Sequence, residues 1–129
     1  MEQNLRQQLG AHGEDVAVAA LEKAGMTVLA RNWRCRRGEL DAVALEHGDR
    51  GSTLVFCEVK TRRGLGYGSP TEAITYAKLR RLRQLAAEWI STEWAGREGL
   101  RVDDIRIDVV GVLLQPGEPP AITHLRGVG

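Results

Sequence analysis

The chain has 129 residues, which is enough for one domain, and 43% hydrophobic and 27% charged residues are typical of a soluble globular protein. It has no apolar run near the roughly 20 residues that span a bilayer, no signal-peptide core at its N-terminus, and only two cysteines. These features exclude a membrane span, a disordered chain and a secreted disulfide scaffold, and we expect a cytoplasmic protein without a membrane partner. The net charge is +1, but the charged residues are unevenly distributed along the chain. Residues 31–83 hold 12 of the 18 Lys and Arg but only 6 of the 17 acids, which gives this segment a charge of +6.

The first half of the chain predicts one helix followed by strands. Apolar residues recur at three- and four-residue spacing over residues 5–24, which indicates an amphipathic helix, and Gly25 provides its C-terminal stop. Three strands are predicted at residues 26–33, 39–46 and 53–60. An arginine-rich loop separates the first two, and a short turn joins the second to the third. We therefore expect an antiparallel hairpin there.

The second half of the chain predicts a helix and a further strand. The capping box Ser-Pro-Thr-Glu at residues 69–72 begins the helix, which runs to about residue 94. A fourth strand is centred on residues 105–112, and a short final strand covers residues 121–125. The order α-β-β-β-α-β, with that last strand, predicts an α/β fold in which helices flank a central mixed sheet. The whole chain, residues 1–129, forms one domain.

Charged residues occur within strands that otherwise look buried. Because side chains alternate along a strand, Glu58 and Lys60 project from the same face of the third strand. In the predicted hairpin, Asp41 of the second strand can lie beside Glu58. Two adjacent carboxylates repel each other unless a cation lies between them, and their oxygens suit Mg²⁺ or Mn²⁺. We expect such an ion at Asp41 and Glu58, with the Val59 carbonyl as a further ligand. The alternative is a solvated sheet face.

Seven short motifs follow one another along about residues 9–112. They are Gly13-Glu14, Arg31-Asn32, Gly38-Glu39-Leu40-Asp41, Glu58-Val59-Lys60-Thr61-Arg62, Gly68-Ser69-Pro70, Lys78 and Arg106-Ile107-Asp108. In this order they resemble the YraN-like family of bacterial proteins, within the PD-(D/E)xK nuclease superfamily. Cys57 departs from the family pattern, which usually has valine there.

The resemblance implies a restriction-endonuclease-like core and a Mg²⁺-dependent nuclease that acts on DNA, including branched or otherwise structured DNA. It matches Asp41 and Glu58 to the metal ligands, Lys60 to the catalytic lysine, and Glu14 to an additional acid from the first helix. From the residues alone, Glu14 is equally well explained as a rim residue of that helix. Two other classes stay open: a nucleic-acid-binding module with this fold but no turnover, and an interaction protein that only retains the fold.

Basic side chains of the +6 segment are the candidates for contacts with nucleic-acid phosphates. The predicted set is Arg34, Arg36, Arg37, Arg62 and Lys78. A solvated helix face is the alternative for Lys78 and the arginines that follow it. The glycine-rich residues 64–68 lack the spacing of a phosphate-binding loop, so they either contact substrate or only connect two elements. A homodimer is left open.

The remaining residues of chemical interest receive no role. The three histidines, His12, His47 and His124, have no metal-ligand spacing with the cysteines. The three tryptophans are predicted to lie in the core or at its rim.

Overall fold

The structure is a computed structural model that describes residues 2–64, 74–94 and 102–128, with side chains of the first helix described from residue 7 onward. Its helices and strands follow the predicted order: α1 (Glu2–Lys23), β1 (Thr27–Cys35), β2 (Gly38–Gly48), β3 (Gly51–Arg62), α2 (Tyr76–Trp89), β4 (Asp104–Leu113) and β5 (Ala121–Leu125). A π-helical turn, Ile90–Trp94, continues α2. The predicted α/β class and the α-β-β-β-α-β order of a restriction-endonuclease-like core are confirmed, and so is the short final strand.

The five strands form one mixed sheet in the order β1-β2-β3-β4-β5. β2 and β3 are antiparallel, and Gly48 pairs with Gly51 across a two-residue turn, which confirms the predicted hairpin. β4 runs parallel to β3, so the chain has to cross over between them, and α2 lies in that crossover. β5 returns antiparallel to β4 and ends the sheet.

A hydrophobic cluster covers each face of the sheet. α1 packs on one face, where Leu21 and Cys57 are buried. α2 packs on the other, where the rings of Trp89 and Phe56 meet edge to face with centroids 5.8 Å apart. Cys57 and Phe56 are neighbours on β3 and project to opposite faces, as the alternation predicts. None of the helices in the described parts of the chain is long and apolar enough to cross a membrane.

α2 begins later than the capping box predicts. Thr75 is its N-cap, and the Thr75 hydroxyl oxygen accepts a hydrogen bond from the Lys78 backbone N–H at 3.1 Å. The prediction that this helix starts at residues 69–72 is therefore wrong. Thr75 suits this position because its hydroxyl oxygen satisfies a free N–H of the first turn. Residues 65–73, which include the predicted cap and most of the glycine-rich segment, lie outside the described residues.

α1 approaches β3 closely at Gly13. A Cβ placed on Gly13 would lie 2.8 Å from Cβ of Thr61 and closer still to its other side-chain atoms. Real Cβ atoms are not found at such distances, so any larger residue would push the helix away from the sheet. The glycine thus sets how near α1 lies to β3, next to the position of Glu14.

Candidate functional site

Asp41 lies where β2 separates from β3. The last pair of the ladder between these strands is Ala42 with Cys57. Next to that pair, Oδ2 of Asp41 accepts a hydrogen bond from the Val59 backbone N–H at 2.8 Å. A side chain of β2 therefore satisfies a backbone donor of β3 at the point where the strands part. Because Val59 directly follows Glu58, this bond also fixes the Asp41 carboxylate beside the β3 site residues.

Asp41 and Glu58 line the same cleft, which has a volume of about 490 Å³ and lies between the sheet and α2. The start of β2 contributes Gly38 and Glu39 to its wall, and the first half of α2 contributes Lys78 and Arg81. Glu58 is only 9% exposed. The structure thus brings both predicted carboxylates to one concave surface, with basic side chains of α2 facing them.

Two lysines contact the Glu58 carboxylate. Nζ of Lys78 lies 2.5 Å from Oε1 of Glu58, and Nζ of Lys60 lies 3.3 Å from the same oxygen. The pKa of Lys60 is lowered, first by burial and then by its contact with Lys78. Burial also opposes the charge on Lys78, but its hydrogen bonds, first to Glu58, outweigh burial and raise its pKa. Sequence reasoning placed Lys60 beside Glu58 but assigned Lys78 only to phosphate contacts.

The Asp41 carboxylate lies in a negative environment. Its pKa is raised to about 6, mainly because burial disfavours the charged form. The negative charges of Glu58, Glu14 and Glu39 act in the same direction, and the hydrogen bond from Val59 opposes them. The influence of Glu14 means that α1 brings this half-buried acid to the same end of the sheet. A cation in this field would favour the ionised form of Asp41.

The donors for such a cation are few. In the parts of the chain that the structure describes, no group of three His, Cys, Asp or Glu side chains is placed to hold a metal ion. Side chains therefore supply the two carboxylates of Asp41 and Glu58, and further ligands have to be a backbone carbonyl, such as that of Val59, or water. Mg²⁺ is commonly held in this way, by one or two carboxylates with several waters.

The predicted phosphate-contacting residues occupy different places. Arg34, Arg36 and Arg37 line a shallow groove around the β1–β2 turn, and Glu39 belongs both to this groove and to the cleft. Nε of Arg34 lies 3.0 Å from Oε2 of Glu39, with the arginine side chain 80% exposed. These three arginines, named here the arginine turn, thus form one basic surface continuous with the cleft.

The other two candidates do not belong to the arginine turn. Lys78 lies inside the cleft on Glu58. Arg62 is half-buried at the end of β3, and among the described residues its Nε has no hydrogen-bond partner. Arg81, which no sequence motif singles out, also lines the cleft.

Sequence comparison places the chain among known proteins. A family model described as "Uncharacterised protein family UPF0102" matches residues 13–112. The chain belongs to the UPF0102 family. The UPF0102 protein of Rhodococcus jostii (strain RHA1) is 53% identical over 118 residues, which cover 92% of each chain. The UPF0102 protein of Nocardia farcinica (strain IFM 10152) is 48% identical over 126 residues, covering 95% of this chain and 90% of the relative. The resemblance to YraN-like proteins is thereby confirmed.

The Arg-Asn motif of this UPF0102 protein lies on β1. Nη2 of Arg31 contacts Oδ1 of Asp15 at 2.6 Å, so the arginine ties β1 to α1. Asn32 has a positive φ of 50°, which is uncommon for any residue other than glycine. The first residue of the motif thus has a role in joining two elements, and the second is a left-handed residue inside the strand.

The Arg-x-Asp motif of the UPF0102 chain builds a second charged cluster, outside the cleft. Asp108 is fully buried and accepts hydrogen bonds from Arg106 Nε at 2.8 Å and from the Gly127 N–H at 2.9 Å, and it contacts His124 Nε2 at 2.8 Å. Arg106 also pairs with Glu46 on β2 at 2.8 Å. Although burial opposes its ionisation, the hydrogen bonds from Arg106, Gly127 and His124 lower the pKa of Asp108.

Sequence reasoning missed this cluster and gave His124 no role. One signal was present, because Asp108 interrupts an apolar strand and Arg106, two residues earlier, shares its face. The partners on β2 and β5 were not visible in the sequence, since they are 62 and 16 residues away from Asp108 along the chain. The motif therefore joins the C-terminal strand to the sheet.

Proposed function

We propose that this UPF0102 protein is a Mg²⁺-dependent nuclease that cleaves DNA, including branched or otherwise structured DNA. The observation that carries the proposal is the cleft in which Asp41 and Glu58 lie together, with Lys60 3.3 Å from the Glu58 carboxylate. Two carboxylates on adjacent strands can hold a divalent cation that promotes phosphodiester hydrolysis, and a lysine beside them can stabilise the charge that develops on the phosphate.

The donor set fits a hard divalent cation. Asp41 and Glu58 offer carboxylate oxygens, and the pKa of Asp41 is raised first by burial and then by the neighbouring carboxylates, both of which a bound cation would offset. Mg²⁺ or Mn²⁺ would be held there by these two side chains and the Val59 carbonyl, with water completing the shell. When bound, the ion would supply Lewis-acid polarisation of a phosphate oxygen.

The chain's own cations would act on the substrate. Lys60 is held at the cleft by Glu58, so its ammonium is already oriented to stabilise negative charge that develops on a phosphate. The arginine turn would hold the flanking backbone through exposed guanidinium groups. Since these contacts are to phosphates, the affinity for DNA should weaken steeply as salt rises. Glu14, near Asp41, would add to the negative field that attracts the cation.

A second candidate function is a nucleic-acid-binding module without turnover. One observation favours it: Glu58 already has two ammonium partners, so its charge is balanced by the protein itself. A closed ion-pair network of this kind stabilises the packing of α2 on the sheet without a metal. The arginine turn would then bind nucleic acid alone.

The test is a cleavage assay on single-stranded, duplex and branched DNA and on RNA, with Mg²⁺, Mn²⁺ or a chelator. We expect metal-dependent cleavage of DNA that Asp41→Asn abolishes. Lys23→Ala, which removes an exposed charge at the end of α1, is the matched control and should cleave like the wild type. If the wild type binds DNA but cleaves none of the substrates with either ion, the module without turnover is the correct function.

A further inference from the structure

Asn32 has an unusual backbone conformation for its place in the fold. In the described parts of the chain it is the only residue other than glycine with a positive φ, at 50°. It lies inside β1, where an extended backbone has φ near −120° to −140°. Asparagine tolerates the left-handed region better than most residues, whereas β-branched residues do not. β1 nevertheless continues through Asn32 with the same register to β2 on either side, and its register shift lies earlier, between Val28 and Ala30.

The left-handed residue lies opposite the candidate metal ligand. In the pairing of β1 with β2, Arg31 is aligned with Ala42 and Trp33 with Leu40, which places Asn32 opposite Asp41. Asp41 is also the residue at which β2 leaves β3 and accepts the hydrogen bond from Val59. The left-handed residue of β1 and the end of the β2–β3 ladder thus occur at the same level of the sheet.

Packing does not explain why asparagine occupies this position. The Asn32 side chain is exposed, and among the described residues it makes no side-chain hydrogen bond. Its neighbours have contacts of their own, Arg31 with Asp15 and Trp33 Nε1 with Glu93. What distinguishes Asn32 is its backbone conformation, and a conformation of this kind is retained where the surrounding structure requires it.

We propose that Asn32 is a positioning residue for the Asp41 carboxylate. Its left-handed backbone shapes β1 beside Asp41, at the end of the β2–β3 ladder, so that Asp41 reaches the Val59 N–H and the cleft. This role rests on the proposed function for the identity of the ligand that Asp41 holds. The positioning itself is a property of the protein without metal, and it is measurable there.

Substitutions at residue 32 separate backbone conformation from side chain. Glycine adopts positive φ without steric cost, so Asn32→Gly should keep the geometry of Asp41. Valine favours an extended strand, so Asn32→Val should straighten β1 and draw Asp41 away from Val59. Asn32→Ala should displace Asp41 by an intermediate amount, because alanine is unbranched but still disfavoured at positive φ. This series remains informative if the valine variant does not fold, because Asn32→Ala and Asn32→Gly give the same contrast.

The experiment is hydrogen exchange at the Val59 amide, followed by NMR in metal-free protein, with Asp41→Ala as the unprotected reference. We expect Asn32→Val to lower the protection of Val59 toward that reference, while Asn32→Gly stays close to wild type. The Mn²⁺ affinity of the same variants should fall in the same order as the protection of Val59. We expect a loss of about 10-fold or more for Asn32→Val, as is typical when a group that orients a metal ligand is removed.

Two results would overturn the proposal. One is wild-type protection of Val59 in folded Asn32→Val and Asn32→Ala. The other is an equal loss of Val59 protection in Asn32→Gly and Asn32→Val, which would show that the asparagine side chain, and not the backbone conformation, positions Asp41. If the wild type binds no Mn²⁺, the proposed metal site fails, and the Val59 exchange data still decide the role of Asn32.

Discussion

The ammonium group of Lys78 lies 2.5 Å from a Glu58 carboxylate oxygen and joins α2 to β3 across the cleft. The side chains of Lys78 and Glu58 are 30% and 11% exposed, so the pair is partly shielded from water. In the protein without metal, a side chain of the helix therefore neutralises one of the two carboxylates proposed to hold a cation. Lys78 and a metal ion would compete for the same oxygen.

The first prediction concerns this competition. Lys78→Ala should raise the affinity for Mn²⁺ by roughly 5-fold, because a partly exposed ion pair worth about 1 kcal/mol corresponds to that ratio. Arg81→Ala is the matched control, since Arg81 also lines the cleft and carries one positive charge. Calorimetric titration measures both. Equal gains in the two variants would show that only net charge matters and that Lys78 does not compete at Glu58.

The second prediction concerns Lys60. Lys60→Ala should lower single-turnover cleavage by about 10²–10³-fold, the usual loss when one preoriented electrostatic group is removed from an active site. Its affinity for DNA, measured by gel shift, should change little, because the arginine turn supplies other phosphate contacts. Unchanged cleavage would contradict a catalytic role. A loss of affinity equal to the loss of rate would make Lys60 a binding residue.

The third prediction concerns the contact of α1 with β3. In most helices, replacing glycine by alanine stabilises the protein by up to about 1 kcal/mol. Gly13→Ala should instead destabilise it by about 1–3 kcal/mol, because the new Cβ meets Thr61. Gly10→Ala is the control on the same helix, where a Cβ would have no neighbour within 4 Å. Urea denaturation measures both, and stabilisation by both substitutions would contradict the close approach seen at Gly13.

The contact between residue 13 and Thr61 can also be removed by a substitution on β3. Adding Thr61→Gly to Gly13→Ala removes every Thr61 side-chain atom that the alanine would meet. The double variant should be less destabilised than the sum of the two single variants. If the two changes in the free energy of unfolding simply add, the destabilisation by Gly13→Ala does not come from contact with Thr61.

The fourth prediction concerns the pH dependence of stability. Because the folded-state pKa of Asp108 is lowered, the folded protein binds this proton less readily than the unfolded chain does. Its contribution to stability is therefore present above the unfolded pKa of about 4 and is lost as the pH falls below it. Asp108→Asn should lower the free energy of unfolding at pH 6 by about 3 kcal/mol, because it leaves Arg106 partly unpaired in a buried site.

Urea denaturation between pH 6 and pH 3 measures this effect. The difference in stability between wild type and Asp108→Asn should shrink as the pH falls, since protonation removes the same charge from the wild type. Asp49→Asn, in the exposed β2–β3 turn, is the control and should follow the wild-type profile. A difference that stays constant down to pH 3 would show that the charge of Asp108 is not what stabilises the fold.

The features that could be predicted from the amino-acid sequence are those that depend on near neighbours along the chain. The alternation in β3 placed Glu58 and Lys60 on one face and Cys57 on the other, and the cluster around Phe56 agrees. The short turn between β2 and β3 defined the hairpin and, with it, the proximity of Asp41 to β3. These features follow from a side-chain period of two and from turn length, which are local properties.

The contacts between distant segments could not be predicted from the sequence, because they depend on the tertiary structure. The start of α2 at Thr75 and the approach of Lys78 to Glu58 depend on how the crossover packs on the sheet. The hydrogen bond from Val59 to Asp41 depends on where β2 leaves the ladder. The partners of Asp108 come from β4, β5 and the C-terminal segment together. A local pattern specifies which face a side chain takes, but not which distant group meets it there, because that is set by strand register and by the packing of helices on the sheet.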